Sequence, residues 1–235
     1  MKDQYVIPPP PVAAIPTAEG GAFPVRRVYC VGRNYAEHAV EMGHDPNREP
    51  PFFFQKNPQD LVSDGSFPYP QGSNDVQHEL ELMVALKSGG RWITAEAAEA
   101  HIWGYGVALD MTCRDLQSIA KERGRPWISA KAFYRSAPCG VLSPVAMTGH
   151  PRNGAMELRV SGKVRQKGDL AQQIWTVPEI IERLSTEFEL AAGDVILTGT
   201  PAGVGPLQVG DSLDGSIAGV GQVSVEVVGE QGPPR

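Results

Sequence analysis

The chain has 235 residues, enough for one large domain or two small ones. A net charge of −6 with no basic block argues against a nucleic-acid partner, and no apolar run approaches the ~20 residues that cross a bilayer, so no membrane partner is expected. The 26 glycines and 21 prolines point to short strands, turns and loops rather than a helical bundle.

Residues 1–24 are proline-rich, with four prolines in a row at 8–11, and are expected to form an extended arm. The first residues, Met1-Lys2-Asp3-Gln4-Tyr5, lack the apolar core of a signal peptide. From Arg26 the pattern turns globular, so residues 25–228 read as a single domain and 229–235 as a tail. Arg27–Val31 reads as a short buried strand. Asn34 is expected to cap a helix over Tyr35–Met42 that Gly43 closes. Phe52-Phe53-Phe54 reads as a strand leading to Lys56, followed by a turn-rich stretch from Asn57 to Asn74 and a strand at Leu80–Leu86. Thr94 is expected to cap a short alanine-rich helix ending near Ala100. His101–Leu109 reads as a strand ending at Asp110, Thr112–Arg123 as a helix, and Gly124–Pro138 as a long loop carrying Trp127, Lys131 and Arg135.

The last third is mostly strand. Met156–Val160 alternates and is followed by a hairpin turn at Ser161-Gly162-Lys163. Thr176 and Glu179 have capping-box spacing before a helix that packs through Ile180, Ile181 and Leu184. A strand at Asp194–Leu197 enters the glycine-rich stretch 198–206, and strands near Asp211–Ile217 and Val220–Val228 finish the chain. Strands outnumber helices and do not alternate strictly with them, which argues for α+β. Cys30, Cys113 and Cys139 are widely spaced with no CxxC pair. This argues against a structural zinc site and a disulfide framework, and a cytoplasmic location is expected. Cys30, inside Val28-Tyr29-Cys30-Val31, reads as a small buried hydrophobe.

The most informative stretch is His78-Glu79-Leu80-Glu81 with the apolar run Leu82–Leu86. In a strand, residues i and i+2 share a face, so Glu79 and Glu81 lie together while Leu80, Leu82, Val84 and Leu86 lie opposite. Either the two acids are solvated on an outer face, or they share a hard divalent cation. Asp110, at a strand end, either caps the next helix or completes an all-oxygen triad that favours Mg²⁺ or Mn²⁺ over Zn²⁺. His38 and Glu41, three apart on one helix face, are either a surface pair or a base with its orienting carboxylate. Lys131, between Trp127 and Phe133, is either solvent-exposed or faces a substrate carboxylate. Residues 198–206 carry no GK[ST] and are not a phosphate loop. The absence of a G-x-S-x-G elbow or a dinucleotide fingerprint argues against a serine hydrolase or a nicotinamide enzyme.

Five ordered motifs resemble the fumarylacetoacetate hydrolase superfamily. They are Tyr29-Cys30-Val31-Gly32-Arg33-Asn34-Tyr35-Ala36-Glu37-His38, His78-Glu79-Leu80-Glu81-Leu82, Asp110-Met111-Thr112-Cys113-Arg114-Asp115-Leu116-Gln117, the pair Lys131-Ala132-Phe133 and Ser136-Ala137-Pro138, and Gly193–Pro201. The arm Tyr5–Pro10, Arg48–Lys56 and Ile174–Ile181 look most like the bacterial fumarylpyruvate hydrolases within it. The resemblance implies a mixed β-sandwich roll of the family's C-terminal-domain type with short flanking helices, and a homodimer. It implies Glu79, Glu81 and Asp110 as Mg²⁺ or Mn²⁺ ligands, and His38 with Glu41 as the pair that activates water. It makes Lys131 a substrate-facing catalytic lysine and places Arg33, Arg114, Gln117 and Thr200 around the substrate. The implied activity is metal-dependent C–C bond hydrolysis of a small dicarboxylic oxo acid, an acylpyruvate such as fumarylpyruvate, in gentisate-type aromatic degradation.

Other reactions of the same scaffold are oxaloacetate decarboxylation and isomerisation or decarboxylation of hydroxy-diene diacids. A non-catalytic metal-binding module is the remaining reading. Two departures bear on the pocket: Tyr134 stands where an acidic residue commonly follows Lys-x-Phe, near Lys131 and Arg135, and Cys113 replaces a common alanine or arginine. The His38 helix has few apolar anchors and is expected to act as a lid.

Overall fold

Two kinds of strand pattern build two sheets. The alternating segments form a five-stranded sheet in the order Lys163–Asp169, Ala155–Val160, Ser212–Ile217, Gly221–Gly229, Ser66–Tyr69, buried on one face only. The near-continuous apolar runs form a six-stranded sheet in the order Ser143–Pro144, Ile102–Leu109, Leu80–Leu86, Asp194–Leu197, Arg27–Gly32, Phe52–Lys56. Its central strands are buried on both faces, as such runs require. The computed structural model describes residues 5–41 and 49–230.

Leu80, Leu82, Val84 and Leu86 pack between the sheets with Leu158, Leu213, Val223 and Val225. Met83 and Ala85, on the opposite face of the same strand, join a second cluster with Ile15, Phe23, Val28 and Cys30. This second cluster corrects the expected arm. Residues 5–12 are exposed, but Ala14–Pro16 then pairs with Ala22–Pro24 as a hairpin. Its Ile15 and Phe23 are buried in the cluster on that face. Among the described residues no helix is long and apolar enough to cross a membrane.

Helices are short and peripheral, in keeping with the α+β expectation. Thr176 and Glu179 form the expected capping box, with Thr176 N donating to Glu179 Oε2 at 2.9 Å, and the helix Val177–Glu187 buries Ile180, Ile181 and Leu184. The predicted helix over Thr112–Arg123 is a two-residue strand, Thr112–Cys113, followed by a helix at Arg114–Glu122. Thr94 precedes a helix of four residues, Ala95–Ala98, that tightens into a 3₁₀ turn. The long loop at 124–138 contains a one-turn helix, Ile128–Lys131. The helix with His38 spans Ala36–Glu41; Met42, Gly43 and Arg48 lie outside the described residues. Asn34, expected as its cap, is fully buried and bridges two distant segments: its Nδ2 donates to Trp175 O and Thr198 O, and its Oδ1 accepts from Trp175 N.

Candidate active site

Strand register turns the two-residue parity into a three-residue site. Leu80–Leu86 pairs antiparallel with Ile102–Leu109, with Glu81 opposite Ala108 and Leu80 opposite Leu109. Asp110 lies two residues beyond Ala108, on the same face, and its N–H donates to Glu79 O at 2.8 Å. Ligand oxygens of Glu79, Glu81 and Asp110 consequently lie within 4.8 Å of one another, all buried. This decides between the sequence readings: the two glutamates are not a solvated pair, and Asp110 joins them.

Three cations surround the acids. Lys131 Nζ donates to Glu79 Oε2 at 2.7 Å and to Asp110 Oδ2 at 2.8 Å, with Phe54's ring 5.0 Å away. It is buried on its helical turn rather than exposed in a loop. Arg114 Nη2 donates to Glu79 Oε1 at 2.5 Å, its Nε to Gln77 Oε1, and its Nη1 to Gln117 Oε1. Lys56 donates to the carbonyls of Met111, Lys131 and Ser136, which uses its three N–H donors. Asp110 Oδ1 lies 2.8 Å from Lys56 Nζ yet accepts no hydrogen bond from it: the contact is charge without a directed proton.

Burial works against charge at Glu79, but Lys131 and Arg114 outweigh it and hold this carboxyl far below its usual range. Burial likewise opposes the Lys131 ammonium, and Asp110 and Glu79 overcome it and raise its pKa. Glu81 goes the other way. Burial, then the charges of Asp110 and Glu79, push it well above the usual value, opposed by Lys131 and a 2.7 Å hydrogen bond from Gly199 N. A hard cation fits this set on two counts: Asp110 Oδ1 is buried and accepts no hydrogen bond, and Glu81, unlike Glu79 and Asp110, forms no ion pair among the described residues. The donors are all carboxylate oxygens, the chemistry of Mg²⁺ or Mn²⁺.

His38 is 8 % exposed and lines the same cleft as the triad. Its Nδ1 lies 3.1 Å from Glu41 Oε2; the tautomer with its proton on Nδ1 makes this contact a hydrogen bond and leaves Nε2 free as a base. Glu41 in turn accepts from Gly203 N at 3.0 Å. Gly203 has φ +96°, and a Cβ there would sit 2.1 Å from Arg165 O, so the latch needs glycine.

The cleft, about 450 Å³ counted to its open mouth, is also lined by Arg33, Arg114, Gln117 and Thr200. Arg33 has φ +56°, stands 5.4 Å over the Phe52 ring and lies 3.6 Å from Glu49. The Thr200 hydroxyl donates to Leu80 O and accepts from Gln166 Nε2, both at 2.8 Å, so it ties its loop to the acidic strand. Tyr134 points to solvent, and Lys131 is held by Glu79 and Asp110; Arg135 pairs with Asp64 and Ser66 O. Cys113 is buried, which raises its thiol to about 11.

Lys56 and Gln166 are absent from the site residues expected from the sequence. Lys56 ends an apolar strand, a weak signal of a buried cation. Gln166 sits in a polar hairpin and gave no signal. It is fully buried, accepts from Leu80 N at 3.0 Å, lies 3.1 Å from His78 Nδ1, and donates to Thr200 Oγ1 and Pro201 O. One side chain thus joins the acidic strand to the Gly-Thr-Pro loop.

The same architecture occurs in solved relatives. A crystal structure of fumarylpyruvate hydrolase from Pseudomonas aeruginosa, in complex with Mn²⁺ and pyruvate, superposes with a TM-score of 0.94 and 47% identity, covering 97% of this chain and 100% of that one. The oxaloacetate tautomerase YcgM of Escherichia coli is 45% identical over 194 residues, 81% of this chain and 88% of its own. The mitochondrial oxaloacetate decarboxylase of Dictyostelium discoideum is 39% identical over 197 residues, 83% of this chain and 90% of its own. Residues 27–228 match the fumarylacetoacetate (FAA) hydrolase C-terminal family, and the chain belongs to that family.

Proposed function

We propose that this protein hydrolyses a C–C bond of an acylpyruvate, with fumarylpyruvate converted to fumarate and pyruvate in aromatic degradation. The observation that carries the reading is the convergence of Glu79, Glu81, Asp110, Lys131 and His38 on one cleft. The 47% identical Pseudomonas aeruginosa structure with Mn²⁺ and pyruvate supports it. Glu79, Glu81 and Asp110 would hold the divalent cation. The three acids are matched by Lys56, Lys131 and Arg114, so a bound divalent ion leaves the pocket net positive, suited to a dianionic oxo acid.

When bound, the cation supplies Lewis-acid stabilisation of the negative charge that develops on the C2 oxygen. His38, oriented by Glu41, takes a proton from water at Nε2 as the water oxygen attacks the C4 carbonyl. The C3–C4 bond breaks, its electron pair moves toward C3 and the C2 oxygen, and a proton added at C3 completes pyruvate. The acyl fragment leaves as fumarate. Lys131 keeps Glu79 and Asp110 in place and adds positive charge where the oxyanion forms.

A second reading, tautomerisation or decarboxylation of oxaloacetate, is favoured by the identities to YcgM and the Dictyostelium enzyme. The two separate on a substrate panel with Mn²⁺ or Mg²⁺. Loss of the ultraviolet absorbance of the 2,4-dioxo group, with stoichiometric pyruvate, is the expected result. Turnover of oxaloacetate with acylpyruvates left intact would replace the first reading by the second.

A further inference from the structure

The helix Arg114–Glu122 presents a graded polar face to the cleft. Arg114, Gln117 and Lys121 are spaced i, i+3, i+7, so they share one face, and all three line the cavity. Arg114 is at the deep end, bonded to Glu79. Lys121 lies seven residues on, ~10 Å farther along the helix axis, at the mouth.

Lys121 belongs to a band that crosses the mouth. Its Nζ stands 5.3 Å over the Trp127 ring, Trp127 packs edge-on against Phe52 at 5.5 Å, and Arg33 stands 5.4 Å over the other ring. Two cations are thus held on a pair of touching aromatic rings that also line the cavity. Arg33 has the exposed Glu49 at 3.6 Å, whereas no carboxylate among the described residues pairs with Lys121. Partial burial against the ring, then the like charges of Arg114, Arg33 and Lys131, lower the Lys121 ammonium from the usual lysine value. An incoming anion would relieve that repulsion.

The geometry points to a second anion-binding subsite at the mouth of the cleft, in which Lys121, with Arg33 across the Phe52–Trp127 pair, receives the far carboxylate of a substrate whose oxo-acid end lies at the carboxylate triad. The ligand class is a long 2-oxo diacid, extended by several carbons beyond the chelating end, rather than a short or mono-acid one. This inference rests on the proposed function, because it takes the triad as the place where the oxo-acid end binds. It also distinguishes the two reactions above: the four-carbon oxaloacetate is too short to reach both ends, and fumarylpyruvate has its second carboxylate at the far end of an extended acyl chain.

Calorimetric titration of the Mn²⁺-loaded protein with pyruvate and with 2-oxopimelate, a diacid with the seven-carbon chain of fumarylpyruvate, tests it without relying on turnover. Wild-type protein is expected to bind the diacid about tenfold more tightly, the scale of one charge-assisted pair. Lys121→Met, which keeps the stem on Trp127, is expected to abolish that preference while leaving pyruvate affinity unchanged, and Lys121→Arg to retain it. A preference that survives Lys121→Met, or one that wild type lacks, overturns the subsite. An equal loss for both acids in Lys121→Met would mean that the lysine only props the helix, and overturns it too. Absence of any pyruvate binding to the wild type removes the chelating site, and the subsite with it.

Discussion

The carboxylate wall and the helix that carries His38 face one another across the cleft and are held in different ways. Glu81 sits on the strand Leu80–Leu86, Glu79 immediately precedes that strand and Asp110 immediately follows its antiparallel neighbour Ile102–Leu109; all three are at most 5 % exposed, cross-linked by Lys131 and backed by Lys56 and Gln166. The helix Ala36–Glu41 is six residues long, too short to be stable alone, and has Val40 exposed. It is tied at one end by buried Tyr35, whose hydroxyl meets Met156 Sδ, and at the other by Glu41 on Gly203 N. The lesson is a division of labour: a rigid wall fixes charge, while a lightly anchored helix brings the base.

Substitutions should separate these two roles. The largest effect is expected for Glu81→Ala, which should lose Mn²⁺ affinity and turnover together by orders of magnitude. Metal titration alongside a turnover assay checks it, and retained metal-dependent activity would take Glu81 out of the site. Next, His38→Ala should cut turnover ~10²–10⁴-fold with Mn²⁺ affinity intact. Near-normal turnover in this variant would remove the water-activating role and leave the helix a purely structural cover.

Gln166→Leu acts on the wall from behind. It leaves buried Leu80 N and Pro201 O without their partner, removes one of the two hydrogen bonds of Thr200 Oγ1, and is expected to cost about 3 kcal/mol of stability. A urea midpoint equal to that of wild type would show that Gln166 contributes nothing to the wall. A smaller change is expected of Glu41→Gln, which keeps an acceptor for Gly203 but weakens the hold on His38. Turnover should fall roughly tenfold, the usual scale for a supporting partner, with KM little altered. Finally, amide exchange in the helix should slow when oxalate binds, while the strand Leu80–Leu86 stays protected throughout. Equal exchange in the helix with and without oxalate is the outcome that sinks the lid.

Legibility in the sequence followed the range of the interaction. Strand parity at Glu79 and Glu81, the i, i+3 pair His38–Glu41 and the Thr176–Glu179 capping box all appear as read, because each depends on backbone period alone. The family resemblance placed Lys131, but its bonds to Glu79 and Asp110 join residues 52 and 21 positions apart, which no window of sequence exposes. The extended arm expected over residues 1–24 gives way to a hairpin past residue 13 because prolines are a local signal, whereas Ile15 and Phe23 answer to an apolar face built by strands much later in the chain. Lys121 was overlooked although its spacing from Arg114 and Gln117 was visible; only the cleft shows which face of that helix matters.

By itself, then, the sequence determined which residues share a strand or helix face, and through its ordered motifs the family to which the chain belongs. Tertiary structure alone decided that Asp110 lands beside Glu79, that Lys56 approaches Asp110 with its protons committed elsewhere, and that Gln166 joins the acidic strand to the Gly-Thr-Pro loop. The physical reason is that periodicity is a property of the local backbone. Pairing of buried charges and satisfaction of buried polar groups depend instead on strand register and sheet packing, which bring together atoms far apart in the chain.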